Sequence, residues 1–342
     1  MASPVKRILV RFPNWVGDVV MAEPVIGVLR HNYPDAEIAV ALREYCAEVL
    51  TGHPHIDRLI RCQDKNFKGL RKLALDIKDF SPELALLLPN SFRSLISIRW
   101  AGVKNIIGYR RGLRKFWLQG PEAPKENGRY QPVPMTDYFL EICQWMQLKV
   151  AGSHKPRLYL TPQETATGAA LLRQYGIADQ DLVFALNPGA QFGSSKCWPD
   201  HYFARLGELL QKQFQCRLFI LVGPGEEEIA DKIVQQSTAE FINTGPDRVG
   251  LGVLKALVQR SNLVITNDTG PRHYAVAFDK PVVVLMGPTD PRHTNCHLDK
   301  TIILREELPC SPCHLKVCPI DHPCMLNLTP EKVFSAVQQI MN

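Results

Sequence analysis

Residues 262–291 read NLVITNDTGPRHYAVAFDKPVVVLMGPTDP. An apolar, β-branched run ends at a polar turn, a short helical pattern follows over 272–278, and a second buried-type strand follows over 281–286. Asp268 or Thr269 can cap the helix. Such a strand–turn–helix leaves free backbone N–H groups and a positive helix end at the carboxyl edge of a sheet, where open α/β folds hold phosphates. The stretch therefore predicts a phosphate-bearing ligand in the C-terminal half.

Both halves of the chain alternate strand and helix patterns. A strand at 6–11 and a helix at 19–31 open the first half, and a strand at 182–186 restarts the same rhythm. This alternation predicts βαβ units and parallel sheets, in an α/β fold with two Rossmann-like domains that face each other across a cleft. The predicted boundaries are 1–155 for the N-terminal domain, 156–330 for the C-terminal domain, and 331–342 for a last helix that packs back on the N-terminal domain.

The composition of the 342 residues is that of a soluble globular chain with room for two cores. No apolar run reaches the roughly 18 residues that span a bilayer, and the N-terminus lacks the apolar region of a signal peptide, which predicts a cytoplasmic protein. Residues 1–155 hold 23 Lys and Arg against 15 Asp and Glu, a net of +8, whereas residues 156–342 hold 17 against 19, a net of −2. The basic half is expected to meet an anionic partner, unless it is only a solvated face.

The first βα turn of each domain offers residues for chemistry. Gly17-Asp18 lacks the G-x-G-x-x-G of a dinucleotide site. Asp18 is either a general base in the crevice or the N-cap of the following helix. The second turn, NPGAQFGSSKCWP at 187–199, places Lys196 and two hydroxyls, Ser194 and Ser195, just before a helix. A lysine beside free amides suits a diphosphate, and the alternative is a solvated loop lysine.

Three further patterns each have more than one reading. Glu226 opens a run of three Glu that either accepts hydrogen bonds from a ribose or favours a helix start. Segment 91–117 is rich in Arg and aromatic residues, so it either binds an anionic acceptor or is solvated, and no nucleic-acid motif accompanies it. Four cysteines near the C-terminus bind zinc, form redox-labile pairs or remain free thiols, and the usual pair of C-x2-C arms of a zinc site is missing. They are Cys310, Cys313, Cys318 and Cys324.

Five segments, taken together and in order, resemble the ADP-heptose glycosyltransferases of lipopolysaccharide synthesis. They are PNWVGD (13–18), NPGAQFGSSKCWP (187–199), NDTGPRH (267–273), GPTDPRHT (287–294) and PCSPCHLKVCPIDHPCM (309–325). The resemblance spans nearly the whole chain. The first and last segments are closer to the family members that add the second heptose than to those that add the first.

This resemblance implies the GT-B fold, with the acceptor on the N-terminal domain and ADP-heptose on the C-terminal domain. It implies an inverting transfer to the first heptose of the inner core, on an acceptor of the heptosyl-Kdo2-lipid A type. No cofactor, divalent metal or nucleic acid is expected, and the enzyme is expected to contact the inner face of the inner membrane peripherally. The alternatives are a GT-B glycosyltransferase that uses another nucleotide-sugar or acceptor, and a non-catalytic nucleotide-binding protein with a zinc module.

The resemblance also suggests residue roles. Asp18 matches the proposed general base, Lys196 matches a lysine near the donor diphosphate, and Glu226 aligns approximately with a ribose-contacting glutamate. The remaining predicted donor-binding residues are Ser194, Ser195, Asp268, Thr269 and Gly270, and the predicted acceptor-binding residues are Asn14, Trp15, Arg93, Arg110 and Arg111.

Overall fold

The computed structural model describes residues 5–342, so residues 1–4 of the predicted N-terminal domain lie outside the described part of the chain. The chain divides into two compact units. The N-terminal unit comprises Met1–Tyr159 and Arg292–Thr294, and the C-terminal unit comprises Leu160–Pro291 and Asn295–Asn342. No helix within residues 5–342 has both the length and the apolar character needed to cross a membrane.

The N-terminal unit is built on a parallel sheet of five strands in the order β3-β2-β1-β4-β5. Its elements are β1 Arg7–Arg11, α1 Val16–Ala22, α2 Pro24–Asn32, β2 Glu37–Arg43, α3 Ala47–Leu50, β3 Arg58–Cys62, α4 Phe67–Phe80, β4 Leu84–Leu87, α5 Phe92–Trp100, β5 Ile106–Gly108, β6 Lys125–Glu126, β7 Arg129–Tyr130 and α6 Met135–Trp145. The short strands β6 and β7 form a separate antiparallel pair. Strands β1, β2 and β4 are almost wholly buried, because helices cover both faces of a parallel sheet.

The predicted helix at 19–31 is two helices in the structure. The first, α1, begins at Val16 and ends at Ala22, and α2 begins at Pro24. Proline lacks the amide hydrogen that a helix interior needs but fits the first turn, so it starts the second helix. Because α1 begins two residues before Asp18, that residue lies in the first helical turn, and the N-cap is Trp15. The N-cap reading of Asp18 is therefore wrong.

The C-terminal unit is built on a parallel sheet of six strands in the order β10-β9-β8-β11-β12-β13. Its elements are α7 Pro162–Gln174, β8 Val183–Asn187, α8 Asp200–Phe214, β9 Arg217–Ile220, α9 Glu227–Gln235, β10 Phe241–Asn243, α10 Leu251–Arg260, β11 Leu263–Asn267, α11 Gly270–Ala277, β12 Val282–Leu285, β13 Thr301–Leu304, α12 Pro323–Leu326 and α13 Pro330–Met341. The strand order reverses between β8 and β11, as in doubly wound nucleotide-binding folds.

Two helices of this unit differ from the sequence analysis. Helix α7 was not predicted, although Thr161 and Glu164 form a capping box, whose spacing is readable in the sequence. The last helix, α13, was expected to pack back on the N-terminal domain. Its buried residues Val333, Ala336 and Val337 instead join the core of the C-terminal unit, and the unit division assigns the helix there. The apolar stripe along one side of α13 explains that placement, because it must be buried against a core.

Candidate functional site

The two predicted phosphate-binding turns meet at one edge of the C-terminal sheet. One follows β8 and the other follows β11, and these strands are neighbours in the sheet. Parallel strands bring their carboxyl ends to the same edge, and the reversal of strand order leaves a crevice there. The sheet therefore brings together two loops that are about 80 residues apart in the chain, as the hydrogen bond from Asn187 to Thr269 shows.

Lys196 is the cation of this site. It ends a short 3-10 turn, Ser194–Lys196, and its ammonium group donates to the backbone carbonyl of Asp268 at 2.7 Å and to Asp268 Oδ2 at 3.0 Å. Its side chain is 14 % exposed. The Lys196 Nζ atom also lies 5.3 Å from the centre of the Phe192 ring. The lysine is thus held at the end of β11 and does not extend into solvent as a free loop side chain would.

Asp268 organises the charges around the lysine. Its Oδ1 accepts from Arg272 Nη1 at 2.9 Å, and its Oδ2 accepts from Thr289 Oγ1 at 2.7 Å. Burial by itself would raise the pKa of Asp268, but the charges of Lys196 and Arg272 outweigh it and hold that pKa well below its usual value. Asp268 is therefore an anion at neutral pH that contacts both Lys196 and Arg272.

Arg272 and Thr289 were missing from the predicted site. Arg272 stands four residues after Asp268 at the start of a helix, a spacing that brings an acid and a base together, so a signal was present. Thr289 lies in the GPTDP turn after β12, and nothing in its local sequence points to Asp268. Burial, together with the charge of Arg272, lowers the pKa of the neighbouring His273 to about 3, so that its imidazole is neutral.

Asn187 and Asn267 tie the two loops together. Asn187 Nδ2 donates to Thr269 Oγ1 at 3.1 Å, and Asn267 Nδ2 donates to the carbonyl of Pro188 at 2.6 Å. Helix α11 then begins at Gly270, with Thr269 as its N-cap residue and no side-chain cap bond. The Thr269 hydroxyl therefore occupies no amide of the first helical turn, in which Pro271 has no N–H to donate.

Glu226 approaches the same loop from the neighbouring turn after β9. Its Oε2 accepts from the amide of Gly223 at 2.9 Å. A Cβ atom at position 189 would lie 2.0 Å from Glu226 Oε2, so only glycine leaves space for this carboxylate. The structure therefore places Glu226 beside Gly189, in the loop that carries Lys196.

The cysteine-rich segment, defined as residues 309–325, contacts the loop after β8 and the turn after β12. Backbone carbonyls of Leu315 and Lys316 accept from the hydroxyl and the amide of Ser195, and His322 Nε2 lies 2.6 Å from the Ser195 carbonyl. On the other side, the His314 amide donates to Pro288 at 2.9 Å. The polar groups of Ser195 are thus engaged in holding the loop, which favours a structural role over donor contact. Ser194, by contrast, is exposed.

The four clustered thiols are free. Burial raises the pKa of Cys324 to about 11, with smaller contributions from Cys318, Cys313 and Cys310. Across residues 5–342, no three His, Cys, Asp or Glu side chains are arranged so that they could hold a metal ion.

Three of the predicted residues lie in the turn after β1 and the start of α1. Asp18 is half-buried, and Trp15 is 52 % exposed. Asn14 accepts from Arg11 Nη2 at 3.1 Å. The fully buried Arg11 also pairs with Asp64 at 2.9 Å, a contact that sequence reasoning missed because 53 residues separate the two. These contacts anchor the turn that follows β1 to the buried side chains of Arg11 and Asp64.

The predicted acceptor arginines are already engaged. Arg93 donates to the carbonyls of Asp64 and Lys65, Arg110 pairs with Glu122 at 3.6 Å, and the Arg111 guanidinium lies 3.6 Å from the centre of the Tyr130 ring. Arg114, which was not predicted, is 3 % exposed. Its Nη1 reaches Asn90 Oδ1 at 3.3 Å, but its Nε and Nη2 have no hydrogen-bond partner. Burial lowers the pKa of Arg114 to about 10.

Comparison with known proteins shows the family to which the chain belongs. Residues 70–323 match the family model of glycosyltransferase family 9 (heptosyltransferase). The chain belongs to glycosyltransferase family 9. This family 9 chain is 26 % identical to the lipooligosaccharide heptosyltransferase 2 of Haemophilus influenzae, with 98 % of this chain and 99 % of that protein covered.

Solved structures agree on the fold of this family 9 enzyme. The structure of Escherichia coli ADP-heptose LPS heptosyltransferase II matches with a TM-score of 0.79 at 23 % identity, covering 98 % of each chain. A family 9 glycosyl transferase from Veillonella parvula matches with a TM-score of 0.85 at 21 % identity, covering 99 % of this chain and 98 % of that one. The predicted α/β fold with two Rossmann-like domains of the GT-B type is confirmed, and so is the prediction of a glycosyltransferase.

Proposed function

We propose that this enzyme transfers L-glycero-D-manno-heptose from ADP-heptose to the first heptose of the lipopolysaccharide inner core. The observation that carries the proposal is the Lys196–Asp268 pair at the carboxyl edge of the C-terminal sheet, in a chain that aligns over nearly its whole length with a heptosyltransferase 2. A diphosphate needs positive charge at such an edge, and family membership makes the diphosphate that of a sugar nucleotide.

The donor is held by three groups in this proposal. Lys196 faces the diphosphate as a point charge, and the first amides of α11, beginning at Gly270, donate to its oxygens. Glu226 accepts hydrogen bonds from the ribose hydroxyls. Asp268 does not touch the donor; it orients Lys196 through the two contacts that the lysine makes with its carbonyl and carboxylate.

Transfer proceeds by a single displacement. Asp18 takes the proton of an acceptor hydroxyl while that oxygen bonds to the anomeric carbon. The bond between the anomeric carbon and the phosphate oxygen breaks, and ADP leaves with the electron pair from the opposite face, so the configuration inverts. Lys196 and the amides of α11 stabilise the charge that develops on ADP, which is the task that a divalent ion would otherwise perform.

The acceptor binds to the N-terminal unit. Its basic character, +8 over residues 1–155, suits the anionic heptosyl-Kdo2-lipid A type of acceptor. Trp15 and Asn14 lie in the same turn as Asp18, and the predicted acceptor residue Arg110, whose side chain is 41 % exposed, can take an anionic group of the acceptor. Because this acceptor is anchored in a membrane, we place the enzyme peripherally on the cytoplasmic face of that membrane.

The decisive experiment is incubation with ADP-heptose and a heptose-bearing core acceptor, followed by mass spectrometry. One added heptose, with ADP released and with no loss of rate in EDTA, is the expected result. Competition by ADP but not by UDP in a binding assay separates this donor from other nucleotide-sugars. No transfer, together with stoichiometric zinc on the purified protein, would instead favour a nucleotide-binding protein with a zinc module.

A further inference from the structure

The outer face of α5 is apolar where a surface helix is normally polar. Leu95 and Ile98 point into the core, whereas Phe92 and Trp100 are 43 % and 51 % exposed and Ile96 is half-buried. Residues 92, 96 and 100 are spaced by four, so they share one side of the helix, over about 12 Å of its length. A helix that has packed its core-facing side ordinarily turns charged and polar residues outward.

Further exposed rings extend this side of α5 at both ends. At one end, Phe67 is 71 % exposed and meets Trp100 edge-on, with ring centres 5.6 Å apart. At the other end, Trp117 meets Phe92 at 5.4 Å, and Phe116, which is 70 % exposed, meets Trp117 at 6.4 Å. We call these residues the aromatic patch: Phe67, Phe92, Ile96, Trp100, Phe116 and Trp117. Single exposed apolar side chains are ordinary, but a contiguous group marks an interaction surface.

The sequence segments that carry the aromatic patch contain basic residues and no acidic ones. Residues 84–121, which include α5 and the segment to Trp117, contain no Asp or Glu. The same is true of residues 65–75 around Phe67. The basic residues of these two segments are Lys65, Lys68, Arg71, Lys72, Arg93, Arg99, Lys104, Arg110, Arg111, Arg114 and Lys115. The Lys115 ammonium lies 5.3 Å from the centre of the Phe116 ring, so cations and rings are interleaved.

We propose that the aromatic patch and its surrounding lysines bind the surface of an anionic phospholipid bilayer. Aromatic rings settle at the level of the lipid headgroups, and clustered Lys and Arg are drawn to the negative surface potential. The core of a protein–protein interface, by comparison, is depleted in charge and particularly in lysine. The proposal rests on the proposed function in one respect, since a lipid-anchored acceptor gives the enzyme a reason to reach a bilayer.

Co-sedimentation with phosphatidylcholine vesicles, made with and without phosphatidylglycerol, tests the proposal on the full chain. The wild-type protein should partition onto the anionic vesicles, less onto the neutral ones, and less as salt is raised. The triple variant Trp100→Ser, Phe116→Ser and Trp117→Ser should lose about tenfold or more in partition coefficient. Trp145→Ser is the matched control, because Trp145 is 45 % exposed on α6, outside the patch, and this variant should bind like wild type.

A charge variant keeps the test decisive if the triple variant folds poorly. Lys68→Glu, Lys104→Glu and Lys115→Glu together should also abolish the preference for anionic vesicles, whereas Lys212→Glu, at an exposed position of α8, should not. Equal binding of wild type and both triple variants would overturn the proposal. So would self-association of the wild type, seen by sedimentation velocity and lost in the aromatic variant, because the patch would then be an interface between two copies.

Failure of this proposal and failure of the proposed function give different results. Vesicle binding needs neither ADP-heptose nor acceptor. If the inference is correct, the aromatic variant keeps full transfer to a delipidated, water-soluble core acceptor and loses rate only on acceptor embedded in vesicles. Unchanged rates on both acceptors would count against the patch. Vesicle binding without transfer to either acceptor would support membrane binding by the aromatic patch and would refute the proposed heptosyltransferase function.

Discussion

The substitution Lys196→Met tests the donor site most directly. Methionine keeps the length of the stem beside Phe192 and removes only the charge and the two bonds to Asp268. In the proposed mechanism the ammonium stabilises the diphosphate, and the charge on it grows as ADP leaves. Removing one preorganised donor of this kind costs about 2–4 kcal/mol, which corresponds to a loss of roughly 30-fold to 1000-fold in kcat/KM.

The same substitution should cost less in folding than in catalysis. Asp268 would keep its bonds to Arg272 at 2.9 Å and Thr289 at 2.7 Å, so the carboxylate is not left uncompensated. The expected cost is about 1–3 kcal/mol, the value of a hydrogen bond to a charged group. By contrast, Asp268→Asn would leave Lys196 and Arg272 together without their anion, at about 3–5 kcal/mol, and should be the less stable of the two variants.

The assays are isothermal titration with ADP at one ionic strength, steady-state transfer, and chemical denaturation. Lys212→Met, at an exposed position of α8, controls for the loss of one positive charge anywhere on the unit. An affinity for ADP and a kcat/KM that both stay within about twofold of wild type would refute the role of the lysine. A variant in which stability falls as steeply as activity would refute the separation between binding and folding.

The other predictions follow from neighbouring features. Asp18→Asn should lower kcat by about 10²- to 10⁴-fold with unchanged affinity for ADP, and unchanged turnover would remove Asp18 from the mechanism. Gly189→Ala should displace the Glu226 carboxylate and weaken ADP binding roughly tenfold, with no further loss when it is combined with Glu226→Ala; additive losses would show that the two act separately. Asp64→Asn leaves a fully buried arginine without its carboxylate and should cost about 3–5 kcal/mol in denaturation experiments. In the folded state the pKa of Asp64 is lowered below 3.8, because its two arginines outweigh the effect of burial. The difference in free energy of unfolding between Asp64→Asn and wild type should therefore be fully present above about pH 4 and should narrow as the pH falls further. A difference in free energy of unfolding that does not change with pH would contradict this prediction. Arg114→Met should raise the free energy of unfolding, because it removes a buried guanidinium two of whose nitrogens lack hydrogen-bond partners; a lower free energy of unfolding would show that the guanidinium is satisfied.

The sequence alone predicted most of the secondary structure, since strands covered on both faces read as short apolar runs and amphipathic helices repeat every three or four residues. The predicted strands at 6–11 and 182–186 and the predicted last helix at 331–342 match β1, β8 and α13 to within one residue at each end. The prediction of helices failed at two places where the local sequence contains a helix-start signal that the prediction did not use. Pro24 marks the start of a second helix, and the capping box of Thr161 and Glu164 marks α7.

The sequence also predicted that the two turns of the proposed donor site lie at one edge of the sheet. Turns that follow strands of a parallel sheet gather at its carboxyl edge, so Lys196 and Asp268 could be assigned to one edge without coordinates. The hydrogen bond between Lys196 and Asp268 could not be predicted, because 72 residues separate them and no local pattern indicates that they meet. The engagement of Ser195 by the cysteine-rich segment was hidden for the same reason.

By itself, then, the sequence determined which elements form and which turns follow the strands of each sheet, because periodicity, capping and glycine or proline preferences act over a few residues. Only the tertiary structure decided which side chains are free to act. It holds Arg93 against backbone carbonyls, leaves two nitrogens of Arg114 without partners, and leaves the rings along α5 exposed. Whether a charge is balanced or a ring is covered depends on neighbours that the fold brings from distant parts of the chain, and spacing within the sequence does not report those neighbours.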